Sequence, residues 1–346
     1  MRALLFAGAV SLLVSLVGTA ILIGWLRAHG IGQQIREDGP EGHHTKAGTP
    51  TMGGLMIVGG AAVGYVVAHA VTVFTLSGLL TMGAICAAAL VGLVDDWISV
   101  RRQRSLGLNK RAKFAAQLVV ATVFALLCVR WAHVSTTLSF TRYSSPGTEI
   151  HQVGWVLLAV FLILASSNAV NLTDGLDGLA AGSAAFAFSA FTIIGFWQLR
   201  HTSIYAKAGS VPPYLDMAII AVAMIGGCAG FLWWNAAPAR IIMGDTGSLA
   251  IGTALGALAL LENVQLLLGI IGGLYVLETL SVMIQVASFR LYHRRVFRMA
   301  PIHHHFELAG WPETTVTIRF WILAGLCAGL GLGIFYADFL SLGLGN

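Results

Sequence analysis

Residues 78–113 read GLLTMGAICAAALVGLVDDWISVRRQRSLGLNKRAK. Positions 78–94 carry no charge, two adjacent carboxylates (Asp95 and Asp96) end the run, and six Lys or Arg follow within 101–113. An apolar run of about 17–25 residues crosses the hydrocarbon core of a bilayer as a helix. A cluster of Lys and Arg beside such a run marks its cytoplasmic end. This one stretch therefore predicts a membrane helix with acidic groups where it leaves the lipid on the cytoplasmic side.

Nine more apolar runs resemble it: about 3–26, 54–74, 114–131, 154–170, 178–198, 216–232, 248–261, 264–288 and 317–336. The whole chain of 346 residues is 57% hydrophobic and 10% charged. Soluble domains carry about 25% charged residues, so this chain cannot cover a water-facing surface. The expectation is an all-α polytopic membrane protein of about ten transmembrane helices, forming one integral membrane domain over 1–346. The first run is longer than the ~7–15 apolar residues of a signal-peptide core, and reads as a retained helix. The formal charge of +5 does not indicate nucleic acid, because the basic residues lie in short loops between apolar runs. Cys86, Cys128, Cys228 and Cys327 all fall in apolar runs, so neither disulfide nor zinc is expected.

Ten spans divide the loops into two sets. Loops 27–53, 95–113, 171–177, 233–247 and 289–316 hold fourteen of the 20 Lys and Arg. The other face holds five: Arg2, Arg130, Arg142, Arg200 and Lys207. The excess assigns the first set to the cytoplasm and both termini to the outside. The cytoplasmic set also holds the unusual polar clusters, and nothing comparable stands out in the opposite loops. The active face is therefore expected to be cytoplasmic.

Each cluster points to phosphate and metal chemistry. Adjacent Asp95 and Asp96 repel unless a cation or proton lies between them, and acids at a helix C-terminus oppose its dipole. Asp174 and Asp177 share the turn Asn171-Leu172-Thr173-Asp174-Gly175-Leu176-Asp177-Gly178. That is more than a helix cap requires, and its glycines let a ligand approach the backbone. Asp245 lies in Met243-Gly244-Asp245-Thr246-Gly247-Ser248, before a helix whose N–H groups suit phosphate. Its carboxylate is a hard oxygen ligand of the kind magnesium prefers. His303, His304 and His305 are consecutive, so they project in different directions; with no Cys or HExxH spacing nearby, they suit phosphate binding or proton transfer better than zinc. Lys46 and Lys113 suit anionic substrates. Five carboxylates on one face need compensation, for which a divalent metal is the economical solution.

In order along nearly the whole chain, these blocks resemble the phospho-N-acetylmuramoyl-pentapeptide-transferase family, within the polyprenyl-phosphate N-acetylhexosamine-1-phosphate transferase superfamily. They are Lys46 to Gly54, Asp95 to Lys113, Asn168 to Gly178, Asn235 to Ser248, Glu278 to Phe289 and Ala300 to Trp311. The resemblance implies transfer of phospho-MurNAc-pentapeptide from UDP-MurNAc-pentapeptide to undecaprenyl phosphate, giving lipid I and UMP, with Mg2+. It implies a multi-pass enzyme of the bacterial cytoplasmic (inner) membrane, embedded in lipid, with a homodimer as its candidate assembly. It makes Asp245 the magnesium ligand, Asp95 the group near the lipid phosphate and Asp96 part of the polyphosphate site. Asn171, Asp174, Gly175, Leu176 and Asp177 match the nucleotide-binding stretch, with Lys46, Thr51 and Asn235 nearby. Lys113, Asn168 and Gln285 match site-lining positions. His303, as a catalytic group, and His304 and His305, as substrate contacts, match the family's histidine loop. Two positions depart from the family pattern: Ser99 stands where a lysine is usual, and Ile242 where a phenylalanine is common. The readings set against this one are a related transferase using UDP-N-acetylglucosamine and a transporter. Transport would place ionisable residues near the midplane, where Glu278 is the main acidic candidate.

Overall fold

The computed structural model describes residues 1–32, 48–102, 107–206 and 212–343. Lys46 lies outside them. The elements run α1 (Arg2–Ala28), α2 (Gly54–Ala68), α3 (Leu76–Arg101), α4 (Lys110–Arg130), β1 (Thr137–Arg142), β2 (Ser145–Glu149), α5 (His151–Thr173), α6 (Leu179–Arg200), α7 (Thr202–Tyr205), α8 (Tyr214–Asn235), α9 (Gly244–Leu261), α10 (Leu268–Ile271), α11 (Gly273–Tyr292), α12 (Ile302–Leu308) and α13 (Glu313–Ser341). Nine helices among the described residues are long and apolar enough to cross a membrane, and α2 is a shorter apolar helix. The protein is thus an all-α polytopic membrane protein, with one small antiparallel hairpin, β1–β2. Helices dominate because lipid offers no partner to an open N–H or C=O.

Helix α9 is the axis of the bundle. Its residues from Thr246 to Leu261 are all buried. Helices α3, α5, α2, α6 and α8 pack around it. Small residues allow close approach: a Cβ at Gly92 of α3 would overlap the Asp245 carbonyl. Hydroxyls stitch helices together where lipid gives little hydrophobic drive. Ser166 and Ser167 of α5 donate to Gly252 and Leu249 of α9 at 2.7 and 3.1 Å. Ser11 and Ser15 of α1 donate to Ala223 and Gly227 of α8 at 2.6 and 2.7 Å.

Several boundaries differ from those read in the sequence. Helix α3 continues to Arg101, so Asp95 and Asp96 lie inside a helix instead of ending it. Helix α9 begins at Gly244, which brings Asp245 into its first turn. The run 264–288 divides into α10 and α11 at Gly272. The histidines sit on their own short helix, α12.

The opposite end of the bundle also carries a polar cluster that the loop sequences did not reveal. Asp216 of α8 is buried and pairs with His69 Nε2 at 3.0 Å. Its carboxylate also accepts from the Tyr65 hydroxyl at 3.2 Å, the Thr75 N–H at 2.9 Å and the Thr75 hydroxyl at 2.7 Å. The signal is diffuse in sequence, since 147 positions separate His69 from Asp216. Glu278 is therefore not the only acid buried within the helices. Replacing Asp216 with Ala leaves His69 and Thr75 without their acceptor, and breaking a buried pair costs about 3–5 kcal/mol. The expected outcome is a clearly lower thermal unfolding midpoint in detergent, with a smaller drop for Asp216→Asn.

Candidate active site

The N-terminal turn of α9 organises the site. The first N–H groups of any helix lack internal partners, and the cap residue of α9, Met243, offers no side-chain acceptor. Asp96 supplies one from α3. Its Oδ1 accepts from the Asp245 N–H at 3.0 Å, and its Oδ2 accepts from the Thr246 N–H at 3.0 Å and the Thr246 hydroxyl at 2.6 Å. A carboxylate at this end also complements the helix dipole. A second set of bonds holds the segment before α9. Gly53 and Gly54 donate to the carbonyls of Ile242 and Met243 at 2.9 and 3.0 Å, and the Ile242 N–H donates to Pro50 at 2.8 Å. The Thr51 region is thereby clamped to the Asp245 turn, with Thr51 itself buried.

Asp95 projects differently from its neighbour. Its Oδ1 accepts from the Leu108 N–H at 2.8 Å, which folds the 107–108 segment back onto α3. Both aspartates are 8% exposed. Oxygens of Asp95, Asp96 and Asp245 lie within 4.8 Å of one another. Lys113, from the first turn of α4, forms an ion pair with Asp245 Oδ2. Asn171, near the end of α5, donates to Asp245 Oδ1 and, at 2.9 Å, to Ser248. Four helices thus bring Asp95, Asp96, Lys113, Asn171 and Asp245 together. Three carboxylates without Cys or His form a hard, all-oxygen donor set, and that chemistry fits a Mg2+-like cation. Asn168, one turn before Asn171, donates to Gln117 of α4 at 2.9 Å.

The turn after α5 forms the second half. Asp174 is the C-cap of α5, and Gly178 is the N-cap of α6. The Asp177 N–H donates to Glu313 Oε1 at 2.8 Å, and Asp177 Oδ2 accepts from the Ala239 N–H at 2.9 Å. The Gly178 N–H donates to Asn235 Oδ1 at 3.0 Å, and Asn235 in turn donates to the Ile241 carbonyl at 2.9 Å. The Leu176 side chain is buried in a small apolar cluster with Leu179, Leu274, Val316 and Phe320. It anchors the turn, leaving polar and backbone groups of the turn for a ligand.

The histidines have separate surroundings. His303 is wholly buried; its Nδ1 lies 3.1 Å from Glu278 Oε1, and its ring covers Gly175. His304 pairs with Glu307 at 2.6 Å. His305 Nδ1 accepts from the Arg298 N–H at 3.1 Å. Gln285 of α11 fastens the loop before α12: Oε1 accepts from the Val296 and Phe297 N–H groups at 3.0 and 2.9 Å, and Nε2 donates to the Phe297 carbonyl at 3.0 Å. Sequence reading missed Gln117, Glu313 and the pairing role of Glu278. Only Pro312-Glu313, a proline followed by an acid ahead of the last apolar run, offered a signal, that of a helix start.

Removing the Asp96 acceptor should loosen the site before it alters any chemistry. Hydrogen bonds to charged groups contribute about 1.5–3 kcal/mol each. Asp96→Asn presents an amide donor to N–H groups, so it should lower the unfolding midpoint more than Thr246→Val, which loses one bond. Thermal denaturation of both variants in detergent checks the order.

Comparison with known proteins identifies the family. Residues 76–263 match the family model described as Glycosyl transferase family 4, and residues 46–58 match phospho-N-acetylmuramoyl-pentapeptide-transferase signature 1. Proteins named phospho-N-acetylmuramoyl-pentapeptide-transferase from Frankia casuarinae and Frankia alni are 54% and 53% identical, across 100% of both chains. The protein of that name from Streptomyces avermitilis is 49% identical over 99% of each. With similarity running over essentially the whole length of these chains, the chain belongs to the phospho-N-acetylmuramoyl-pentapeptide-transferase family.

Proposed function

We propose that this protein transfers phospho-MurNAc-pentapeptide from UDP-MurNAc-pentapeptide to undecaprenyl phosphate, giving lipid I and UMP in peptidoglycan synthesis. The observation that carries the proposal is the convergence of Asp95, Asp96 and Asp245 with Lys113 and Asn171 at one end of a membrane bundle. The charge bias supports a cytoplasmic assignment for that end, with both termini outside, and the family supports a place in the bacterial inner membrane.

The chemistry follows from what these groups do. Asp95, on a helix lying against lipid, takes the proton of the arriving lipid phosphate. A freed phosphate oxygen attacks the sugar-linked phosphorus. The new P–O bond forms as the bond to the UMP oxygen breaks, and UMP leaves with the electron pair. Asp245, with Asp95 beside it, is the proposed ligand of Mg2+, which supplies charge neutralisation on the diphosphate. Lys113 places a second positive charge at that carboxylate. Asn171 holds Asp245 in its rotamer. Asp96 acts through α9. Asp174, Gly175 and Asp177, with Asn235 behind them, form the proposed nucleotide turn, while His304, His305 and Gln285 shape the approach beside it. Ile242 keeps apolar contact there but offers no ring for stacking.

Purified protein given undecaprenyl phosphate and UDP-MurNAc-pentapeptide should release UMP and lipid I with Mg2+, and neither with EDTA. Lipid product from UDP-N-acetylglucosamine alone would place the chain in the other branch. Nucleotide flux across proteoliposomes without lipid product would favour transport. Asp245→Asn should insert and fold yet lose about 10³-fold or more in kcat, since a metal contributes several kcal/mol to such a transition state.

A further inference from the structure

Glu278 and His303 form a buried ionisable pair that the proposed transfer steps do not use. Glu278 lies on α11 and His303 opens α12, and both are 0% exposed. Nδ1 stands 3.1 Å from Oε1. Beyond that ion-pair contact, neither side chain has a hydrogen-bond partner among the described residues. The far side of the ring is committed as well: a Cβ at Gly175 would overlap His303 Nε2. The pair thus links α11, α12 and the turn between α5 and α6.

Stability alone is a poor reason for this arrangement. Desolvating an ionisable pair offsets its attraction, and apolar residues of similar volume often hold a core at least as well. What the pair supplies is direction. The Glu278 carboxylate, 3.1 Å from Nδ1, holds the buried ring by charge from one side while Gly175 meets its other side. The Asp177–Gly178 half of the turn is tied to Glu313, Asn235 and Ala239. The Gly175 half rests on the imidazole.

We propose that Glu278 is a positioning residue for the UDP-sugar: it orients the His303 ring, and the ring sets the height of Gly175 and the turn carrying Asp174 and Asp177. This rests on the reading of that turn as nucleotide-binding. The lipid phosphate, approaching Asp95 on α3, does not depend on it.

The test compares full-length wild type with Glu278→Leu, Glu278→Gln and Glu278→Leu/His303→Leu in detergent. It measures kcat and both KM values for the single variants, and the thermal midpoint for all three. Leu alone strands His303 and lowers the midpoint; the double variant removes both partners and restores it. In Glu278→Leu the KM for UDP-MurNAc-pentapeptide should rise about ten-fold or more, the scale seen for outer-shell partners. The KM for undecaprenyl phosphate and kcat of that variant should stay within about two-fold. Glu278→Gln, which keeps the length and polarity of the side chain beside Nδ1, should keep the nucleotide KM near wild type. A nucleotide KM that stays unchanged in Glu278→Leu, a lipid KM that rises with it, or a rise as large in Gln as in Leu overturns the positioning role. Failure of the transferase reading looks different: wild type itself then turns over no UDP-sugar, and both proposals fall.

Discussion

The contact on which the site depends is the Asp96 carboxylate against the first turn of α9. That turn is enclosed by α2, α3 and α5, so its open N–H groups cannot rely on bulk water. Asp96 satisfies two of them and the Thr246 hydroxyl from a neighbouring helix. Because the acceptor belongs to α3, the contact fixes α9 against α3 as well as capping it. Asp245 and Asp95 are each one residue from a member of this contact, so their separation is set by it. Adjacent helical residues point about 100° apart. One aspartate of the pair is thereby committed to structure, and the other is the one proposed to face substrate.

The cost of gathering three carboxylates is balanced locally. Lys113 lies against Asp245, Asn171 and the Leu108 N–H donate to the cluster, and the α9 N-terminus contributes its dipole. Each donor comes from a different segment, so the cluster also pulls α4, α5 and the 107–108 segment together. Crowding of negative charge, which sequence alone marks as needing a cation, is here met partly by protein groups. The remainder is what a divalent ion would neutralise.

Much of this was legible in sequence, for physical reasons. Hydropathy located the nine long apolar helices and the shorter α2 among the described residues, because lipid demands apolar length. Lys and Arg bias separated two faces, and the acidic and glycine motifs collected on one. What stayed hidden was long-range pairing. Nothing near Asp96 shows that it caps a helix 149 residues away. Asp216 and His69 look like ordinary residues near span ends, yet they form a buried pair. The helical turns beyond Asp96 were missed because Trp97, Ser99 and the arginines lower the hydropathy without breaking a helix. The break at Gly272 was missed for the opposite reason, since its neighbours are uniformly apolar.

Helix α5 explains how two substrates of opposite solubility meet in register. Its last turn carries Asn171, which grips Asp245, and three residues later Asp174 caps the helix and opens the nucleotide turn. One helical turn therefore separates the carboxylate cluster from the loop proposed to hold the UDP-sugar. A helix resists changes in that spacing far better than a loop does. The diphosphate could then be presented to Asp95 without a separate hinge, because the turn proposed to hold the nucleotide and Asn171, which holds Asp245, share one rigid element. Support for the turn from His303 beneath and Glu313 beside it is what such a rigid coupling requires, since any slack at Gly175 would be carried directly to the phosphorus.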